Sequence, residues 1–185
     1  PTAATAASAD DAAKHAAWLK QYCVGCHNSR APLPANDPVN LETASRWLHL
    51  PAEEDGHVWM LNLMKYHAVA QYEGGNEAGV SGEEADDRYA PLGPLAAVGA
   101  VPAFLARVAE QPAGTPAWDR IGIVDYPTRA AFFAMQRRDD FKAQHEHKEA
   151  GMEFTIVMGT EPVATGGGSA DDGALVLRVR RVAEG

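Results

Sequence analysis

Cys23, Cys26 and His27 stand in the order C-x-x-C-H. Two thiols three residues apart can add across the two vinyl groups of a haem, and the adjacent imidazole is then held on the proximal face of the iron. Three other uses of the pair compete. A thioredoxin-like C-x-x-C follows a strand and opens a helix. Here the preceding residues, DAAKHAAWLKQY, read as a helix started by Asp10 or Asp11. A zinc knuckle needs a second Cys/His pair at matching spacing, which His49, His57, His67 and the His145/His147 pair do not provide. A disulfide across two intervening residues is strained and closes a negligible loop. The expected cofactor is therefore one covalent haem c, held by Cys23 and Cys26, with His27 as proximal iron ligand.

The sixth position of the iron decides what such a haem can do. Two strong ligands suit electron transfer, whereas an open site admits peroxide, oxygen or nitric oxide. His15 lies upstream on the leading helix, on the wrong side to reach the distal face. Met60 and Met64 fall inside a strand pattern where flexible thioethers fill core gaps, and Met135, Met152 and Met158 read the same way. His49, at the end of a short helix just after Trp47, is the candidate distal ligand, with His67 as runner-up. A five-coordinate or water-bound iron stands beside them as the third arrangement.

These groups must be positioned by a chain of 185 residues with a net charge of −9. The acidic balance offers no basic stripe to displace counterions from phosphates, which argues against a nucleic-acid partner. No apolar run approaches the roughly 20 residues that span a bilayer. The start, PTAATAASADDAA, has neither a positive n-region nor an apolar h-region. Because covalent haem attachment requires an oxidising compartment with its own maturation system, the expectation is an exported, periplasmic protein whose signal peptide has been removed.

Residues 1–9 read as a flexible tail, and 10–56 as the haem-binding segment and its linker. Within the latter, SRAPLPANDPVN is too rich in Pro for regular structure, and a short helix runs from about Glu42 to His49 before Pro51. PAEEDG marks the module boundary. Residues 57–162 then alternate. VWMLNLMKY is apolar on both faces, hence a central strand. SGEE opens a helix with a capping box from Ser81 to Glu84, disturbed by Pro91 and Pro94 and ending near Gly99. VPAFLARVAE and DRIGIVDY are strands. Thr128 caps a long helix, with at most one break, that stops at Gly151, and EFTIVMG is the fourth strand. The order is β-α-β-β-α-β, a ferredoxin-like α+β pattern. Residues 163–185 read as a Gly-rich linker and a C-terminal strand or tail.

LKQYCVGCHNSR and VNLETASRW, within residues 16–47, resemble bacterial cytochrome c domains that read YCxxCHN, then a loop, then L-[DE]-T and a Trp. The segment is shorter than a complete domain of that class. Val58 to Pro162 resembles a small family of the dimeric α+β barrel superfamily. The resemblance is carried by VWMLNLMKY, SGEEADDRYA, VGAVPAF and WDRIGIVDYPTRAAFFAMQRRDDFKAQHEHKEAGMEFTIV. It implies a ferredoxin-like protomer whose sheet packs on that of a second copy. Relatives by fold include cofactor-independent monooxygenases, chlorite-dismutase-like and dye-decolourising haem proteins and aldoxime dehydratases, which for function is analogy only.

His145 and His147 fall where this family often carries His, and they are the candidates for acid/base work. At i and i+2 they lie about 200° apart on a helix, so they cannot chelate one metal from one face. Asn62, Tyr66, Asp125 and Arg129 are candidates to line a cavity between sheet and helix. The expected function is a mono-haem c-type redox or electron-transfer protein packed against the barrel, whose partners are a second copy and a redox partner protein or small-molecule substrate. The alternative is a haem enzyme (peroxidase, oxygenase or dehydratase-like) or a binder of a small gas or metabolite beside the barrel cavity.

Overall fold

The computed structural model describes residues 41–75 and 79–161. Cys23, Cys26, His27, His15 and the expected tail and C-terminal segment lie outside the described residues. In chain order the elements are α1 (Leu41–Leu48), β1 (Val58–Tyr66), α2 (Gly82–Arg88), α3 (Leu92–Ala97), β2 (Val101–Arg107), β3 (Arg120–Tyr126), α4 (Arg129–Arg137), α5 (Asp139–Gly151) and β4 (Met152–Thr160). The four strands form one antiparallel sheet in the order β2-β3-β1-β4. That order puts the most apolar strand, β1, between two neighbours, as its two-sided hydrophobicity requires. The edge falls to β2, where Pro102 has no N–H to give and the register shifts between Pro102 and Phe104.

Alternation along β1 divides the molecule. Val58, Met60, Met64 and Tyr66 face the helices, where Val58 and Met60 join Leu95, Ala100, Tyr126, Met135 and Phe141 in the main core. Leu61 and Leu63 face the other way and cluster with Ile123, ringed by Trp59, Phe104, Trp118, Ile121, Ile156 and Met158. A sheet apolar on both faces needs a cover on both.

Local chemistry sets the helix boundaries. Ser81 and Glu84 form the expected reciprocal capping box. The helix expected to run on towards Gly99 is two helices instead. Pro91 disfavours helical backbone at the residue before it, while Pro94 is tolerated within the first turn of α3, where its missing N–H has no partner to lose. Likewise the long helix after Thr128 is broken at Arg138, which is extended (φ −69°, ψ 140°) and clamps Asp140 through two bonds of 2.9 and 2.8 Å.

The stretch before β1 is packed onto the domain. Asp55 accepts the free N–H groups of Arg129 (2.8 Å) and Ala130 (3.0 Å), and Thr128 Oγ1 accepts that of Ala131 (3.0 Å), so α4 is capped partly from outside its own sequence. The Arg129 guanidinium lies 5.4 Å above the Trp47 ring, and that ring rests on Gly159, where any Cβ would collide with it. Gly159→Val is accordingly expected to cost about 1–3 kcal/mol of stability through overpacking. In a Trp47→Ala background the same change should cost much less. Urea unfolding of the two single variants and the double variant checks this, and equal costs in both backgrounds would refute the docking of Trp47.

Candidate small-molecule site

Between the helices and the sheet lies a cavity of about 370 Å³. Its floor is Met60, Asn62 and Met64 of β1 with Arg120, Gly122 and Val124 of β3. Register explains the space: Asn62 pairs with Gly122 on one side and Val157 on the other, so a side chain is missing at the centre of the floor. Phe132, Met135 and Gln136 of α4 and Phe141 and Lys148 of α5 form the roof, while Asp86, Tyr89 and Leu95 close the side. Leu92 and Leu105 also line it, yet they are 62% and 65% exposed, which makes the rim apolar.

One end of this apolar space is charged. Arg120 reaches from β3 to Asp86 Oδ2 (3.1 Å), Asp87 Oδ1 (2.8 Å) and Glu83 Oε1 (2.9 Å), all on α2. The Tyr66 hydroxyl donates to the same Asp86 oxygen at 2.5 Å, and the guanidinium stacks over the Tyr66 ring at 5.4 Å. Burial pushes the Asp86 carboxyl above the usual aspartate range, against the opposing pull of the Tyr66 hydrogen bond, Lys148 and Arg120. Burial also raises the Tyr66 phenol, reinforced by Asp86, so Tyr66 remains a donor. Burial works against the charge of Arg120, but Tyr66, Asp87 and Asp86 around it hold its pKa above the ordinary guanidinium value. A carboxyl raised by desolvation and set among donors in a cavity is the arrangement from which acid/base catalysis is built.

Two further polar groups reach this space. Lys148 is buried with its ammonium 5.3 Å over the Tyr89 ring. Gln136 is 4% exposed, and its Oε1 is buried with no hydrogen bond. Leaving such an oxygen without a donor costs about 1–3 kcal/mol.

Of the residues expected to line the cavity, Asn62 does so, and its Nδ2 donates to Met60 O at 3.1 Å. Tyr66 acts through Asp86. Asp125 falls on the opposite face, where His57 Nδ1 donates to it at 3.0 Å, and Arg129 is committed to Trp47. His145 and His147 do not line the cavity. His145 packs against Tyr89 and Phe141, and burial, with Lys148 beside it, lowers its pKa to about 4. Glu149, 3.7 Å from its Nε2, is too exposed to keep the imidazole charged. His147 Nδ1 shares a 3.0 Å hydrogen bond with the Tyr72 hydroxyl. The residues missed in the sequence, Asp86, Arg120, Gln136 and Lys148, are charged or polar residues inside helix and strand patterns, where solvated faces are the ordinary reading. The one available signal was Arg120, a charge at an inward position of β3.

Neither candidate for the distal iron position lines the cavity. His49 is exposed, and its Nδ1 donates to Ser45 O at 2.8 Å, which leaves the lone pair on Nε2. His67 is half-buried. Its Nδ1 accepts from Gln71 Nε2 at 3.3 Å, its Nε2 is buried without a hydrogen bond, and burial lowers its pKa. Of the two, His49 has the tautomer that iron requires. No group of three or more His, Cys, Asp or Glu that could hold a metal ion occurs among the described residues, and no helix among them is long and apolar enough to cross a membrane.

The four-stranded antiparallel sheet, its order and the helices on one of its faces define a small α+β protein consistent with the ferredoxin-like fold. Within that class the chain is similar to the methylated RPA0582 protein, at 25% identity and a TM-score of 0.59, over 70% of this chain and 96% of that one. It is also similar to the RPA0582 protein of unknown function from Rhodopseudomonas palustris, a structural genomics target, at 23% identity and a TM-score of 0.58, over 70% and 97%. No protein-family model and no curated protein matches the chain.

Proposed function

We propose that this chain is an exported mono-haem c-type redox protein, with haem attached through Cys23 and Cys26 and ligated by His27, carried on an α+β barrel protomer. The observation that carries the reading is the C-x-x-C-H spacing itself, which suits thioether attachment better than zinc, thioredoxin-like or disulfide chemistry. The haem would supply one-electron exchange between ferric and ferrous iron. His49 is the candidate sixth ligand, since the Ser45 carbonyl accepts its Nδ1–H and so fixes the tautomer with the lone pair on Nε2. A second copy is the proposed partner across the sheet face bearing Trp59, Leu61 and Ile156, whose apolar character calls for a cover.

The test is production in a host with a c-type haem maturation system. Haem that stays on the chain through a denaturing gel, and is lost in the Cys23→Ser, Cys26→Ser double variant, is the expected result. A chain exported and folded without haem would overturn the reading. His49→Ala is expected to convert a low-spin ferric spectrum into a high-spin one, and an unaltered spectrum removes His49 as ligand.

One observation favours the second reading, a haem enzyme or metabolite binder. The cavity places the raised carboxyl of Asp86 against an apolar space suited to a substrate. Ready binding of carbon monoxide by the ferrous protein would favour it over simple electron transfer, and low-spin bands indifferent to carbon monoxide would exclude it.

A further inference from the structure

Of the charged residues that line the cavity, Lys148 alone has no ion pair among the described residues. It lies two turns after Phe141 on α5, so both side chains fall on one buried stripe of the helix, 9% and 6% exposed. A Lys on a solvated helix face needs no explanation. On this stripe it gives up hydration that the Tyr89 ring, 5.3 Å from Nζ, replaces only in part. Asp86 is not its counter-ion. Arg120 and the Tyr66 hydroxyl hold that carboxyl, and Lys148 acts on it only across space. Glu83 and Asp87 are engaged as well, so each of these three carboxylates of α2 has the Arg120 guanidinium within 3.1 Å. Nor is the ammonium sealed off. The polar side-chain atoms that are closed off without a partner belong to His67, Gln136, Gln144 and His145, and Lys148 Nζ is not among them. An unpaired ammonium on the wall of an apolar cavity, still open to a water-sized group, is a binding position for an anion.

The rest of the lining defines what that anion is attached to. Phe132 and Phe141 lie above, Met60 and Val124 below, and the exposed Leu92 and Leu105 make the entrance apolar. A cavity of about 150 Å³ holds benzene, so about 370 Å³ accommodates roughly 10–15 non-hydrogen atoms. One ammonium beside carboxylates that are already matched suits one negative charge and not two, which favours a carboxylate over a phosphate ester.

We propose that the cavity binds a small monocarboxylate with an apolar body, its carboxylate on Lys148 Nζ and its body between the two Phe rings and the floor of β1 and β3. The site uses no iron and no haem ligand, so it goes beyond the redox and haem-enzyme readings and stands or falls separately from both.

Calorimetric titration of the full chain at neutral pH with 2-naphthoate, neutral 2-naphthol and cationic 2-naphthylmethylammonium tests it. 2-Naphthoate is expected to bind at least tenfold more tightly than 2-naphthol, the weight of one charge-assisted hydrogen bond, and the cation should bind most weakly. In Lys148→Met the advantage of 2-naphthoate should vanish while 2-naphthol binding persists. Lys148→Gln, which drops the charge and keeps a polar end, should give the same loss if the Met variant does not fold. Gly122→Val, which pushes side chain into the floor beside the flexible end of Met64, should abolish binding of 2-naphthoate and 2-naphthol alike. The proposal is overturned if no probe binds, or if 2-naphthol or the cation matches 2-naphthoate. A Lys148 variant that loses stability yet keeps the preference for 2-naphthoate would show that the ammonium only balances the carboxylates of α2, and overturns it too. Binding that survives Gly122→Val places the probes elsewhere and overturns it equally.

Discussion

Arg120→Leu is expected to destabilise the domain by about 3–5 kcal/mol, the cost of removing one partner from a buried charge network. Arg120 and Asp86 have side chains only 9% and 8% exposed. Removing the guanidinium leaves Asp86 facing a hydrophobic neighbour, with the Tyr66 hydroxyl still donating to it, while Glu83 keeps Arg107 at 2.6 Å and Asp87 remains half-exposed. The damage should therefore centre on Asp86. Because small domains are stable by only about 5–15 kcal/mol, the variant lies near the edge of folding. Arg120→Lys, which keeps charge but not the fork, should fall between it and the parent protein. Replacing both partners, as Arg120→Met with Asp86→Leu, should recover much of the loss. Urea midpoints for the four chains check the series. A loss below about 1 kcal/mol for Arg120→Leu, typical of a surface pair, would show that the network is solvated and does not hold α2 to the sheet.

The second large effect is a dependence of stability on pH from His145. Its pKa in the folded protein is about 4, below the ordinary value of 6.5, because burial disfavours the imidazolium. The unfolded chain then binds the proton more readily than the folded one between those values. Stability from this group is complete above pH 6.5 and declines as pH falls towards 4, by about 3 kcal/mol in all. Asp86 runs the other way: its raised pKa means that acid favours the folded state once its carboxyl protonates. The contribution of His145 is therefore read as the difference between the parent chain and His145→Phe, whose ring suits the space between Tyr89 and Phe141. That difference should move by about 3 kcal/mol in favour of the variant between pH 7 and pH 4. A constant difference would show that the imidazole is hydrated and protonates in place.

Much of the fold was readable because it is local. The two-sided apolar run of β1, the Ser81–Glu84 box and the Thr128 cap act within a few residues of themselves, and each is where its sequence signal puts it. The breaks were less readable. Pro91 announced a disturbance without saying that two helices would result, and nothing in QRRDDF marks Arg138 as the one extended residue between α4 and α5. PAEEDG looks like a solvated linker, yet Asp55 caps a helix more than seventy positions away, a pairing that no local pattern encodes.

The candidate site divides along the same line. Sequence alone supplied the C-x-x-C-H spacing on which the proposed haem attachment rests, because that spacing lies within five consecutive residues. It also determined the βαββαβ order, because hydrophobic period is a property of each segment. It singled out Asn62 for the cavity on one polar residue in an apolar strand. Only the tertiary structure decided that Asp86, Arg120, Gln136 and Lys148 converge on one cavity while His145 and His147 turn away from it. That convergence depends on strand register, which sets Gly122 opposite Asn62, and on the rotation of α4 and α5 about their axes. Neither is a local quantity: both are chosen by how the whole set of apolar faces packs, and so they appear only once the chain has folded.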